Sequence, residues 1–188
     1  MKIKNNSVCL ATVVLVLAGG LPLTAVAHEV VEMDMRFAGT GALRILHVDP
    51  TTGLIVTSGL NHLQAKGSPG TAEVRGFGGR TTSPGLPVTT CLGSPGLFLS
   101  FTIVEVPLVF TFKDLSLLFA SGGGTLCFNQ VTLLVEFEAN IMFMGGRGRF
   151  EGATGQAVIR GEAEAVSNDF SFVGQTGTII GTILVPDA

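Results

Sequence analysis

Glu136, Glu138 and Asn140 are the polar side chains whose spacing most suggests shared chemistry. On a β-strand, residues two apart point to the same face, so the three would stand in line. On a face that lines an enclosed space, neighbouring carboxylates shift one another's pKa values. They then suit proton transfer or capture of a polar head group. On a face turned to water, the three are solvated surface. The intervening Phe137, Ala139 and Ile141 are apolar and read as the core side, which favours the second reading. The first holds if that apolar side is covered from outside by a helix or another subunit.

Other candidates carry less. Glu162 and Glu164 lie opposite the small series Ala157, Ile159, Gly161, Ala163 and Ala165, and read as solvent-facing. Arg147 and Arg149 sit in a glycine-rich turn whose N–H groups suit an anion. The Lys-Ser/Thr of a phosphate loop is missing, so exposed turn arginines are the simpler reading. His28, His47 and His62 are scattered, and no His or Cys pair has metal-ligand spacing, so neither metal nor cofactor is expected. Gly93-Ser94-Pro95-Gly96 lacks the spacing of a nucleophile elbow.

The elements that must position these residues are strands. Val131 to Met144 alternates as one long two-faced strand, a glycine-rich link follows, and a second alternating strand runs to Val166. Earlier, Val31–Phe37, Ala42–Val48, Leu54–Gln64, Thr71–Phe77, Leu97–Val106 and Leu108–Phe112 read the same way. Residues 78–96, rich in Gly and Pro, read as a long irregular loop. Pro107 and Gly122-Gly123-Gly124 read as breaks, Thr125–Phe128 as a short strand, Ser167-Asn168-Asp169 as a turn, and Phe170–Val185 as the last strand. Eight or nine strands without helical periodicity suit an antiparallel barrel or a sandwich, and the 131–144 run favours the barrel.

The N-terminus reads as a secretory signal. Lys2 and Lys4 precede the apolar run Val8–Leu17, and Ala25-Val26-Ala27 is a small-x-small cleavage site that sets a mature start at His28. Gly19, Gly20 and Pro22 break the run, which is short for a membrane span; an uncleaved anchor is the competing reading. Residues 1–27 are thus expected to be signal and 28–188 a single domain, exported to a periplasmic or extracellular space. Cleavage takes two of the 11 Lys+Arg and none of the 14 Asp+Glu, leaving a net charge of −5. An acidic chain without a basic run argues against nucleic acid and anionic membranes as partners. In an oxidising compartment Cys91 and Cys127 read as a disulfide; two separate buried thiols are the alternative.

Met144 to Gly161 reads MGGRGRFEGATGQAVIRG. It resembles the signature of the allene oxide cyclase and dirigent barrels, in which a strand ends in a Gly-Gly-x-Gly-x-Phe turn and a small-residue segment leads into the next strand. The resemblance is closest to secreted bacterial members of that superfamily. It implies an all-β, eight-stranded antiparallel calycin-like barrel with an apolar lumen, and a trimer by analogy with eukaryotic members. Gly145, Gly146, Gly148, Gly152 and Gly155 would then permit the reversal and Phe150 plug one end. No catalytic set carries over, and the chain has no Tyr and no Trp.

Three functions remain open at this point. The chain is an exported barrel holding a small apolar molecule, a cyclase or isomerase using Glu136 and Glu138 as acid and base, or a structural oligomer with a packed barrel.

Overall fold

The computed structural model describes residues 27–48, 51, 54–82, 85–165 and 172–187; within residues 43–48, 54–60 and 77–82, and at 165 and 172, it describes backbone only. The signal segment up to residue 26 and the turn at 167–169 lie outside the described residues.

Among the described residues nine antiparallel strands follow one another: β1 (His28–Val48), β2 (Leu54–Ser68), β3 (Gly70–Thr82), β4 (Leu86–Cys91), β5 (Ser94–Phe112), β6 (Leu117–Asn129), β7 (Val135–Arg147), β8 (Thr154–Ala165) and β9 (Phe172–Pro186). They form one sheet, ordered β3-β2-β1-β9-β8-β7-β6-β5-β4, and β3 also pairs with β5. That extra pairing, Ala72 to Gly76 against Phe112 to Leu108, closes eight strands into a ring. Strand β4 stands outside it, paired with the first part of β5. Closure removes two exposed sheet edges from water.

One face of every ring strand turns inward, and register aligns the inward residues in layers. Ile141, Ala157, Gly181 and Met33 share one layer across β7, β8, β9 and β1. Phe137, Gly161, Gly177 and Phe37 share another. The two glycines make room for the two rings, whose centroids stand 6.4 Å apart in a stacked arrangement. A Cβ on Gly161 would lie 2.7 Å from the Phe137 ring, and one on Gly177 2.6 Å from the Phe37 ring. Large residues thus fill the space that small ones across the lumen leave. The result is one apolar core running through Met33, Met35, Val74, Phe110, Leu118, Ile141, Ile179 and Ile183.

The glycine-rich reversal behaves as its sequence suggests. Gly148–Phe150 makes a 3-10 turn, with Gly148 at φ 66° and Gly152 at φ 69°, which few other residues adopt. Phe150 is buried and packs 4.8 Å from the Phe112 ring, sealing this end of the ring. Arg149 lies over both rings, at 4.8 and 4.7 Å. Its Nε pairs with Asp114 at 3.2 Å and its Nη2 donates to the Pro69 carbonyl at 3.2 Å. One side chain therefore ties together the β2–β3, β5–β6 and β7–β8 turns.

Several sequence-based boundaries move. Residues 131–134 are not strand: the Asn129 side chain accepts from the N–H of Val131 and Thr132, and Leu133 takes φ 61°. That local cap outcompetes the alternating pattern. Residues 78–96 are not one long loop: β3 runs to Thr82 and a β4–β5 hairpin turns at Leu92-Gly93. Proline is tolerated there because β4 is an edge strand. Pro107 and the glycine triplet lie inside β5 and β6, where Pro107 faces Ser121 and Gly122 faces Val106. Cys91 and Cys127 are joined by a disulfide, with Cα atoms 6.0 Å apart. Together with Phe98 they form a small second core on the outer face, with Val88 against it.

Two outcomes test this packing. Phe150→Ala removes a buried ring and should cost about 3–5 kcal/mol in urea unfolding; a loss below ~1 kcal/mol would mean that the end is not sealed by it. The Asp114 carboxyl titrates below its ordinary value of 3.8, chiefly because the Ser116 backbone N–H donates to it, with Arg149 adding attraction. A depressed folded pKa stabilises above the unfolded value and is lost as pH falls through the folded one. Stability should therefore drop more steeply below about pH 4 in the wild type than in Asp114→Asn.

Candidate functional site

The interior is graded from end to end. At the Phe150 end Phe110, Phe112, Ile141, Phe143 and Ile183 are buried. Toward the other end, here called the mouth, the described residues continuing the inward series on β5, β6, β7 and β9 are Phe101, Ile103, Leu126, Val135 and Val173, each half-buried, while Ala163 on β8 is buried. Apolar side chains that face a lumen yet keep contact with solvent mark the place where an apolar ligand gains most from binding.

Two polar residues share this layer. Asn61 is in frame with Leu63 and Ala65 on β2, and Gln175 is in frame with Ile179 and Ile183 on β9, so both point inward. Gln175 Nε2 donates to Asn61 Oδ1 at 3.0 Å. Gly41 and Gly76 stand beside Asn61 in the same layer, opposite it in register. Any side chain at Gly41 would collide with both carboxamides, so the glycine makes their room. Sequence reasoning missed this pair. The signal was present in strand parity, since Gln175 falls in phase with Ile179, but it required knowing which face of β9 turns inward.

Glu136, Glu138 and Asn140 stand together on the outer face of β7, as their spacing requires. Glu138 Oε2 meets Arg160 Nε at 2.6 Å across β8. Glu136 faces Glu162 in register, and Glu162 faces Thr176. With the hairpin residues Leu92 and Ser94, these side chains line an open groove on the barrel wall. The disulfide helps to hold that hairpin against the wall. An ion pair as exposed as Glu138–Arg160 is worth little, and the groove is a solvated wall rather than an enclosed chamber. Asn140 is exposed nearer the plugged end.

The remaining candidates are placed as follows. Glu162 and Glu164 are exposed. Arg149 is occupied by its two rings, Asp114 and Pro69, so it is not a free anion clamp. His62 lies on the outer face, with Nε2 2.8 Å from Glu73, which also pairs with Arg75. Among the described residues no group of three or more His, Cys, Asp or Glu side chains could hold a metal, and no helix is long and apolar enough to cross a membrane.

Comparison with known proteins adds a likeness and two blanks. No protein-family model matches the chain, and no curated protein does. A solved structure, that of a pterocarpan synthase dirigent protein, is similar at a TM-score of 0.42 and 13% identity, over 88% of this chain and 90% of that one.

The Cys91–Cys127 bond closes a loop with a sequence separation of 36. In the chain-entropy model that corresponds to about 4 kcal/mol of stabilisation. The Cys91→Ala/Cys127→Ala variant should lose roughly 2–4 kcal/mol in denaturant unfolding. Unchanged stability would show that the hairpin contributes nothing to the global unfolding unit.

Proposed function

We propose that the protein is an exported barrel that holds a small, mainly apolar molecule in the mouth end of its lumen. The observation that carries the reading is the gradient in burial: inward-facing apolar side chains are sealed at the Phe150 end and half-covered around Val135, Val173 and Phe101. Export is supported by the disulfide, which persists in oxidising compartments, and by the signal-like N-terminal sequence. The cyclase or isomerase reading finds less support, because its acid and base candidates Glu136 and Glu138 stand on the outer wall with Arg160.

A second reading, assembly of identical subunits, is favoured by one specific observation. Met142 and Met144 on β7 and Ile180 on β9 are 67%, 63% and 57% exposed. Half-buried Val158 lies between β7 and β9, and exposed Val30 extends the patch onto β1. In register the stripe is interrupted by Gln156, Thr154 and Thr182, but several exposed apolar side chains on one outer wall are a common interaction surface. The two readings are compatible, since the stripe and the mouth are at different places.

The experiment is extraction. Protein purified from its native host under non-denaturing conditions is washed, extracted with organic solvent and analysed by mass spectrometry. An apolar molecule near one equivalent per chain, reduced when Ala163→Trp fills the mouth layer, is the expected result. Repeated absence of any such molecule, together with no uptake of added apolar compounds, would overturn the reading.

A further inference from the structure

We infer that Asn61 and Gln175 form the head-group site for the lumen ligand, and that this ligand is uncharged, with one hydroxyl or carboxamide on an apolar body. The inference rests on the lumen being the binding chamber, as proposed above.

Each carboxamide offers two donors and two acceptor lone pairs. The Gln175–Asn61 bond uses one donor and one acceptor site. The Asn61 NH2 group and the Gln175 Oε1 keep unused capacity: among the described residues neither makes another hydrogen bond, and no buried side-chain polar atom here is sealed from solvent without a partner. A hydroxyl can accept from Asn61 and donate to Gln175, and so can a primary amide. If both carboxamides were turned over, donor and acceptor would exchange places and the same ligand groups would fit.

Charge is disfavoured by what surrounds the pair. The inward neighbours Phe37, Gly41, Leu63, Gly76, Leu108, Ala163 and Val173 carry none. The charged residues of the adjoining strands, such as Arg36, Lys66, Glu73, Arg75, Glu138, Arg160 and Glu162, occupy the outward series. A carboxylate or ammonium entering the mouth would lose hydration, and among the described residues no counter-ion stands beside the pair to replace it. An uncharged head loses less and recovers it from the pair.

The test uses the full mature chain, labelled with 15N, and four probes of one length: 1-hexanol, hexane, hexanoate and hexylammonium at neutral pH. Hexanol should bind about tenfold tighter than hexane, the equivalent of one net hydrogen bond. It should also shift the side-chain amide signals of Asn61 and Gln175, which hexane leaves in place. Hexanoate and hexylammonium should bind more weakly than hexanol. Asn61→Leu and Gln175→Leu should each bring hexanol toward the affinity of hexane while leaving hexane unchanged. The amide signals of the wild type supply the answer should either variant fail to fold. Equal binding of hexanol and hexane with unmoved amide signals would overturn the head-group site and leave lumen binding standing. Failure of all four probes to bind would overturn both.

Discussion

The pairing of β3 with β5 is the constraint on which the structure depends. Without it the chain would be a nine-stranded open sheet with β3 and β4 as unpaired edges. With it, eight inward faces meet around one axis, and residues as distant in sequence as Phe37 and Phe137 come into ring contact. The long β5 makes this possible because one of its edges serves two partners, β3 along the C-terminal half and β4 along the N-terminal half. Its register slip against β6 between Ile103 and Val106 falls within the stretch paired with β3, which itself shifts register there, and resets the strand ahead of the β4 pairing.

Closure then divides the molecule into two ends with different chemistry. At one end short turns are gathered by Arg149, whose guanidinium is stacked on two rings while its donors reach Asp114 and Pro69. That arrangement uses both properties of arginine, a planar face and a fork of donors. At the other end the carboxamide pair stands among apolar residues, of which Phe37, Leu63, Leu108 and Ala163 are buried and Val173 is half-buried.

Much of the architecture was legible in the sequence because a strand advertises its inward face by alternation. Ala139, Ile141 and Phe143 alternate with Asn140 and Met142 and are buried as that pattern demands. The plug was legible through a glycine turn followed by a phenylalanine, with the family resemblance beside it. Other features were not. The Gly122–Gly124 triplet lies within β6, since Gly122 and Gly124 pass close to the Asn140 and Glu138 carbonyls of β7 and Gly123 close to the Ile103 carbonyl of β5, where the Cβ of another residue would collide. Val131 and Leu133 fit the alternation of β7 but are held in a turn by Asn129, whose carboxamide accepts from Val131 and Thr132 and whose backbone carbonyl accepts from Leu133. The outward placement of Glu136 and Glu138 was one of two readings, and only closure decides which face turns in. Asn61 and Gln175 belong to strands 114 residues apart in sequence, so no local pattern could join them.

Closure can be measured directly by NMR on the mature chain in solution. Antiparallel pairing places the backbone of Val74 opposite Phe110 and that of Ala72 opposite Phe112. Cross-strand nuclear Overhauser contacts between these residues, with β3 amides as slow to exchange as those of β8, are the result this account requires. Missing contacts, together with β3 amides that exchange at the rate of an open edge, would contradict it.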